Sequence, residues 1–274
     1  MNHLSKIALA AAAALLAGHV SAQVVTVSDS SLTHTSGALY TTDFGVSAQI
    51  GGSTGRNDDS STGQINLGYT LTNFFGQNYS SIYINNNGNI TFNNPLGSYT
   101  PAGPQGATQP VIAPFFADVD TRGANSGIVY VNTSIANETI ITWDHVGYYG
   151  AHDDKLDTFQ LVLRGSGYAT PTGEGQIGFF YGDMQWETGD ASGGSGGFGG
   201  TPAAVGFGDG QSNGEVLAGS IQNGISGIVN DTSIWFDVND QGIPTPTIPE
   251  PTNVALMLAG LGLLGTIARR RNKA

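Results

Sequence analysis

The stretch Ser81–Asn93, SIYINNNGNITFN, decides the predicted fold of this chain. Apolar and polar residues alternate on both sides of Asn87-Gly88, as they do in strands that have one buried face. An Asn-Gly pair between two such runs is a strong signal for a β-hairpin. We therefore expect two antiparallel strands here, with their turn at the asparagine-rich centre.

The length of the turn decides which side chains of the hairpin share a face. A two-residue loop at Asn87-Gly88 would turn the isoleucines of the two strands away from each other. A three-residue loop, Asn86–Gly88 with Gly88 in the left-handed conformation, places four apolar residues on one face, and a slip of one residue would scatter them. We prefer the three-residue loop. It predicts the pairs Ile84 with Ile90 and Ile82 with Phe92.

Further strand-like runs follow along the chain. They share short length, β-branched or aromatic residues, and flanking Gly, Asn or Pro, a pattern typical of strands joined by turns. The runs are Val111–Val131, Thr139–Val146, Thr158–Leu163, Gln176–Tyr181, Ala203–Phe207 and Ser233–Val238. Between them we find no convincing amphipathic helical window. These runs predict an all-β, sandwich-like body.

Composition limits the class of protein and its partners. The chain has 274 residues, of which 41 are glycine, and it has no cysteine, so disulfides and thiolate metal sites are excluded. The formal net charge is −12, yet the segment Gln23–Glu250 contains four basic and 21 acidic residues, a net charge of −17. A body of this charge is repelled by nucleic acid and by anionic lipid, and we expect neither as a partner.

The N-terminus has the features of a secretory signal peptide. Lys6 precedes the apolar run Ile7–Ala17, and Val20-Ser21-Ala22 follows as a small-residue cleavage pattern. We expect a signal helix over residues 1–22, with cleavage between Ala22 and Gln23. The protein is then exported, and the mature chain begins at Gln23.

The C-terminus combines three elements in order. They are a Pro-Glu-Pro element (Pro249, Glu250, Pro251), an apolar run from about Val254 to Ala268, and a basic end (Arg269, Arg270, Arg271, Lys273). An apolar run closed by cations is held in a bilayer with its tail on the cytoplasmic side. Its length of about 15 residues is near the lower limit for a membrane-spanning helix, which favours a transient sorting helix over a permanent anchor. The tail closely resembles the PEP-CTERM signal of bacterial envelope proteins, which implies processing by an exosortase-type enzyme.

Several elements of the body resemble a single extracellular family, the nidogen-like (NIDO) domain, over about Asn73–Val238. The most specific elements are Phe-Ala-Asp-Val-Asp within Ala113–Arg122 and Tyr-Gly-Asp-Met-Gln-Trp within Ile177–Trp186. Phe116 stands where the family often has tryptophan. The cysteine-rich modules that accompany this domain in animal matrix proteins are missing here. The resemblance implies adhesion or association with an extracellular matrix, without naming a ligand.

These features predict five segments along the chain. They are a signal peptide (1–22), strands and loops that pack on the main domain (23–72), the nidogen-like domain (73–238), a linker (239–247) and the sorting signal (248–274). The predicted function is that of an exported, non-enzymatic envelope protein, held transiently in the membrane and then displayed in a surface or exopolysaccharide matrix for adhesion. The alternative is an exopolysaccharide-binding or carbohydrate-active protein of the same location.

Acidic residues offer a candidate cation site. Asp118 and Asp120 are two apart, so on a strand they share a face and could act as a pair of calcium ligands. The cluster Asp153, Asp154 and Asp157 could supply further oxygens. The competing and preferred interpretation is structural, with Asp118 and Asp120 capping turns and pairing with Arg122. We expect no cofactor, with calcium as the one candidate.

Three other groups of residues could have either a functional or a structural role. Asp58 and Asp59 lie in a Gly/Ser-rich stretch and could contact a cation, but we prefer the interpretation of a solvated loop. His145 and His152 could bind zinc or copper, but are more often ordinary polar residues of a loop. Trp143 and Trp186 are expected in the core, and Tyr148 and Tyr149 at the surface. A glycosidase would need two carboxylates that face a cleft, and the sequence offers no convincing pair.

Overall fold

The computed structural model of the protein describes residues 23–35 and 39–247, and their regular structure consists mainly of two β-sheets. Most strands are short, and four of them have nine or more residues. The strands are β1 Val24–Val27, β2 Thr33–His34, β3 Val46–Ser47, β4 Ile65–Phe74, β5 Gln77–Asn85, β6 Asn89–Thr91, β7 Pro110–Phe116, β8 Val119–Asp120, β9 Val129–Asn132, β10 Glu138–Tyr148, β11 His152–Arg164, β12 Ile177–Tyr181, β13 Ala204–Asp209, β14 Gly214–Leu217, β15 Thr232–Val238 and β16 Pro244–Pro246. One helical turn, α1, spans Ile225–Val229.

The two sheets have simple strand orders. The first sheet runs β1-β14-β13-β7-β6-β5-β4, and the second runs β16-β15-β12-β11-β10-β9-β3, with β2 paired to β15 and β8 to β10. Their facing side chains form one core, in which Phe115 of the first sheet contacts Phe159 of the second, and Phe207 stacks on Phe179. The prediction of an all-β fold is confirmed. The terminal helices predicted over 1–22 and 248–274 lie outside the described residues.

The hairpin of β5 and β6 has the three-residue loop that the sequence predicted. Ile84 pairs with Ile90 and Asn85 with Asn89, which leaves Asn86, Asn87 and Gly88 as the loop. Ile82, Ile84, Ile90 and Phe92 are all buried in the main core. Gly88 has φ 73°, and a Cβ added there would lie 1.8 Å from the carbonyl oxygen of Phe115. The position therefore needs glycine both for its dihedral angle and for its space.

The apex of this hairpin is buried instead of facing solvent. Asn85, Asn86, Asn87 and Asn89 each have at most 1% of their surface exposed. The indole Nε1 of Trp143 on β10 donates to the carbonyl oxygen of Asn86 at 3.0 Å, so the apex of the first sheet is hydrogen-bonded to the second. The Trp143 ring also stacks on Phe159, with a centroid distance of 5.0 Å. Loop and core are thus one packing unit.

The segments on either side of this central region add strands to the sheet edges. Strand β1 pairs in parallel with β14, and β3 pairs with β9. Residues 239–247, expected as a linker, instead turn back so that β16 pairs with β15, and the amide of Phe75 donates to the carbonyl of Gly242. Backbone hydrogen bonding therefore continues to Thr247, whose amide donates to Trp235. Within the described ranges, no helix has the length and apolar character needed to cross a membrane.

Two glycines with the same backbone dihedral test how much the buried apex contributes to stability. Gly68 has φ 74° and no atom within 4 Å of an added Cβ, whereas at Gly88 the added atom meets backbone. We expect Gly68→Ala to lower the free energy of unfolding by about 1 kcal/mol, because an alanine side chain disfavours the positive φ. Gly88→Ala should cost about 3 kcal/mol or more, because the strands must also shift. Urea denaturation of the two purified variants measures the difference, and equal losses would contradict a tightly packed apex.

Candidate functional site

Three carboxylates from distant parts of the chain converge beside the hairpin apex. Asp58 and Asp59 belong to the loop before β4, and Asp118 lies between β7 and β8. One carboxylate oxygen from each lies within 4.8 Å of those of the other two. We call this group the acidic cluster. Its ligand atoms are all oxygens, and Asp58 and Asp59 are half-buried while Asp118 is fully buried.

The hairpin apex positions the loop that contains Asp58 and Asp59. The side-chain amide of Asn86 donates to the carbonyl oxygens of Asp58, at 2.6 Å, and of Val119, at 2.7 Å. The side-chain amide of Asn87 donates to Oδ1 of Asp59 at 2.9 Å. Two neighbouring asparagines therefore hold the loop and the β7–β8 connection at a fixed separation. The acidic cluster forms in the space between them.

Asp118 is the most unusual member of the acidic cluster. Its side chain is 1% exposed, and neither carboxylate oxygen has a hydrogen-bond partner within the described part of the chain. Its backbone carbonyl accepts a hydrogen bond from the amide of Tyr149 at 2.9 Å. A Cβ at Gly189 would lie 2.5 Å from Oδ2 of Asp118, so the glycine leaves room for the carboxylate. Buried carboxylates are normally hydrogen-bonded or paired, and this one is neither.

The electrostatics of the acidic cluster favour protonation. Burial, together with the negative charges of its neighbours, Asp58 first, raises the pKa of Asp118 to about 7. Burial also raises the pKa of Asp58 to about 6, with Asp120 and Asp59 adding to the rise and Arg122 opposing it. Arg122 forms a 2.9 Å ion pair with Asp58 and is itself about half exposed. The acidic cluster thus places three carboxyl groups together with a single ion pair, to Arg122, among the described residues.

Asp120 has a different role from Asp118, although the two share a short segment. Its carboxylate accepts from the backbone amide, Nε and NH2 of Arg122 at 2.6–2.9 Å and from the amide of Ala151 at 2.8 Å. Burial acts to raise the pKa of Asp120, but these hydrogen bonds outweigh it and the pKa lies below its usual value. The expected pairing with Arg122 is therefore found for Asp120 and is not found for Asp118. Both carboxylates are buried, but Arg122 and the amide of Ala151 lie beside Asp120, whereas Asp118 faces Asp58 and Asp59.

The structure does not bring Asp153, Asp154 and Asp157 to Asp118. Asp153 accepts from the amide of Asn125 at 2.7 Å. Asp154 accepts from the hydroxyl of Tyr148 and from Lys155. Asp157 is buried and holds the amides of Gln185 and Trp186, at 2.6 and 3.1 Å. These aspartates each organise their own turn or strand, so the proposed second cluster does not supply ligands to the first.

The histidines and aromatic residues are also separated. His145 contacts Asp144, and His152 contacts Asp190, at 2.6 and 3.1 Å, so the two imidazoles have different partners. Trp143 and Trp186 are buried, as expected. Tyr149 is exposed, but Tyr148 is 1% exposed, because its ring packs between His152 and Trp186. The expectation of a surface tyrosine pair was therefore wrong for Tyr148.

The sequence interpretation missed Asp58 and Asp59 as neighbours of Asp118. The loop that contains them was expected to be solvated, yet one carboxylate oxygen of Asp58 is buried and without a partner. A signal did exist in the hairpin, since the run Asn85–Asn89 is too polar for a buried turn unless its side chains bind other backbone segments. The local sequence does not show which backbone segments these asparagine side chains contact.

Comparison with known proteins assigns the fold to a family. Residues 80–243 match the family model of the nidogen-like domain, and residues 247–272 match that of the PEP-CTERM protein-sorting motif. The first match spans more than half of the chain, so the protein belongs to the nidogen-like domain family, as its motifs indicated. The sorting motif implies export that depends on an exosortase-type processing enzyme. Together the matches indicate an exported protein of the cell surface or extracellular space.

The similar proteins are much longer than this one. Alpha-tectorin of Mus musculus is 34% identical over 180 residues, which cover 56% of this chain and 8% of that protein. Alpha-tectorin of Gallus gallus is 32% identical over 180 residues, with the same coverage. Nidogen of Drosophila melanogaster is 29% identical over 147 residues, covering 44% of this chain and 10% of that protein. The chain therefore spans a tenth or less of these relatives, and no solved structure gives a significant match to it.

The sorting residues Pro249, Glu250, Pro251 and Arg269–Arg271 lie outside the described residues, as does Ala22. Gln23, the expected first residue of the mature chain, is described. Its amide donates to the side-chain oxygen of Asn213 at 2.9 Å, next to the pairing of β1 with β14.

The raised pKa values predict an unusual pH dependence of stability. A carboxyl whose pKa is higher in the folded than in the unfolded state stabilises the fold below its unfolded pKa, and this contribution is lost as the pH rises through its folded pKa. With EGTA present, the free energy of unfolding should therefore fall as the pH rises from about 5 to 8, through the pKa values of Asp58 and Asp118.

Asp118→Asn should flatten this dependence and raise the melting temperature near pH 8 by a few degrees, or about 1–2 kcal/mol, because the amide carries no charge. Asp240→Asn, at an exposed carboxylate, is the matched control and should keep the wild-type slope. The measurement is chemical denaturation at several pH values. An unchanged slope in Asp118→Asn would show that Asp118 is not the titrating group.

Proposed function

We propose that this protein is a bacterial envelope protein that an exosortase-type enzyme processes at its C-terminal tail, and that its nidogen-like domain then mediates adhesion in the surface or exopolysaccharide matrix. The observation that carries the proposal is the arrangement of the two family matches on one chain. The nidogen-like match ends at residue 243 and the sorting motif begins at residue 247. A display domain and its sorting signal are thus directly joined.

The end of the described structure supports this division. Strand β16 is hydrogen-bonded to β15, and the amide of Thr247 donates to the carbonyl of Trp235 at 2.8 Å. The sorting motif therefore starts at the last residue that the structure describes, and this residue is still hydrogen-bonded to the domain. Cleavage after this point leaves every strand of the described structure in place. The tail also contains four of the nine basic residues, and its removal leaves a strongly acidic body.

Adhesion is favoured over catalysis on sugars. A glycosidase needs two carboxylates on either side of a cleft that admits the glycosidic bond. In the acidic cluster, both carboxylate oxygens of Asp118 are buried, so they cannot reach a polysaccharide at the surface. Neither matching family model describes an enzyme. The alternative function is binding of exopolysaccharide by an outer face of the sheets, at the same cellular location. A ligand screen distinguishes this alternative from adhesion to a protein.

The sorting step is tested with two variants of the full chain. Deletion of residues 248–274 should abolish retention at the surface and release a folded domain, because every strand that the structure describes lies before residue 248. Changing Pro249, Glu250 and Pro251 together to alanine keeps the apolar run and the basic end. This variant should stay in the membrane fraction at its uncleaved size, because the run can still enter a bilayer while the processing element is lost.

Cell fractionation and immunoblotting compare both variants with the wild-type protein. Surface retention of the deleted protein would contradict the role of the tail. Wild-type size and location for the alanine variant would show that the tail is a permanent anchor instead of a processed signal.

Adhesion itself is tested with the purified full-length protein in mild detergent, using an array of matrix polysaccharides and proteins. We expect saturable binding to at least one matrix component, lost on heat denaturation, because recognition by a folded sheet face depends on its shape. An unrelated acidic protein of similar net charge controls for electrostatic attraction. Binding no stronger than that of the control protein, across the whole array, would count against adhesion.

A further inference from the structure

We propose that the acidic cluster, together with the side-chain oxygen of Asn87, binds a calcium ion that ties the loop containing Asp58 and Asp59 to the buried Asp118. The proposal concerns the domain itself and does not depend on the sorting or adhesion steps above. Three kinds of observation carry it: the convergence of the oxygens, their missing partners and the rigidity of their support.

Convergence is the first observation. Oxygens of Asp58, Asp59 and Asp118 lie within 4.8 Å of one another, a spacing that a shared cation of 2.3–2.6 Å ligand distance would satisfy. The three residues come from two loops about 60 positions apart in sequence. Like charges repel, so such a spacing needs either protons or a cation to balance it. Asp58 has Arg122 as a partner, while no ion pair to Asp59 or Asp118 is found in the described part of the chain.

Missing partners are the second observation. Both oxygens of Asp118 and Oδ1 of Asp58 are buried without a hydrogen bond. Oδ1 of Asn87 is also buried and has no hydrogen-bond partner. Because Asn87 is neutral and is not one of the three carboxylates, its unpartnered oxygen is an independent observation. The same amide group donates through Nδ2 to Asp59 at 2.9 Å, so the Asn87 side chain lies next to the acidic cluster. Buried polar atoms left without partners destabilise a fold, and a cation bound among these oxygens would supply the missing partner.

Rigid support is the third observation. Asn86 fixes the backbone of Asp58 and of Val119 through its side-chain amide, and Trp143 fixes Asn86 through its carbonyl. The ligand-bearing segments are therefore held in place by the core, without a bound ion being needed to assemble them. Gly189 keeps a side chain away from Asp118. Preformed geometry of this kind lowers the entropic cost of binding an ion.

The ligand chemistry favours calcium over other metals. The acidic cluster and Asn87 present carboxylate and amide oxygens, with no nitrogen or sulfur ligand, as hard cations prefer. Calcium accepts six to eight oxygens in flexible geometry, so waters can complete the shell on the side where Asp58 and Asp59 are half-exposed. Magnesium demands a near-ideal octahedron at shorter distances and releases its waters reluctantly. That open side also gives the ion a path to the buried Asp118.

The test uses the purified full-length protein in mild detergent, first dialysed against EGTA. Addition of about 5 mM calcium chloride at pH 7.5 should raise the melting temperature by roughly 5–10 °C, and EGTA should reverse the rise. Equal magnesium should give a clearly smaller shift. Equilibrium dialysis with radioactive calcium should show one ion bound per chain.

Two substitutions separate ligand binding from folding. Asp118→Asn should be at least as stable as the wild type in EGTA, because it removes buried charge, yet its calcium affinity should fall at least about tenfold and its thermal shift should disappear. Asp59→Asn, at a half-exposed position, should weaken binding in the same direction. Asp240→Asn should respond to calcium as the wild type does.

Three results would overturn the proposal. They are no calcium bound to the wild-type chain, binding without any thermal shift, and undiminished binding in Asp118→Asn. The last two would place the ion at exposed carboxylates elsewhere on this acidic protein.

Discussion

The rest of the structure depends on one buried polar feature, the asparagine apex of the β5–β6 hairpin. Asn86 accepts a hydrogen bond from Trp143 through its carbonyl and donates three through its side chain. These bonds join the first sheet, the second sheet, the loop before β4 and the connection after β7. In an apolar interior each unsatisfied bond would cost about 1–3 kcal/mol, so the apex admits few alternative packings. The geometry of the apex therefore follows from the hydrogen bonds that Asn86 makes in the buried interior.

The acidic cluster is a by-product of that arrangement. Because the apex holds two loops together, it also holds their carboxylates together, and burial then raises the pKa of Asp118 above its ordinary range. Nearby, Asp120 shows the opposite outcome, since Arg122 and Ala151 satisfy its oxygens. Two aspartates two residues apart thus have opposite electrostatic characters. Both side chains are buried, and the difference arises from their neighbours: Asp120 has Arg122 and the amide of Ala151 within hydrogen-bond distance, whereas Asp118 faces Asp58 and Asp59.

The domain ends in a manner that suits an exported protein. Edge strands are a liability, because their free backbone groups can pair with other chains. Here β16 covers part of the edge at β15, and β1 covers β14 at the other sheet. Thr247, the last described residue, is hydrogen-bonded to Trp235 of this sheet, and the sorting motif begins at the same residue. All strands of the described structure therefore precede the part of the motif that follows Thr247.

Local sequence determined the strands, the three-residue loop with Gly88, the family and the sorting motif, because each depends on side-chain alternation, turn chemistry or a contiguous motif. It also indicated that Asp120 pairs with Arg122, a contact two residues away. Only the tertiary structure decided that Asp58 and Asp59 meet Asp118, that Tyr148 is buried and that residues 244–246 form a strand. These outcomes depend on contacts between segments far apart in the chain. Local sequence shows whether a residue is polar, but it does not show which distant segment that residue will contact. The burial of the acidic cluster and the proximity of its charges therefore arise only when the sheets have packed.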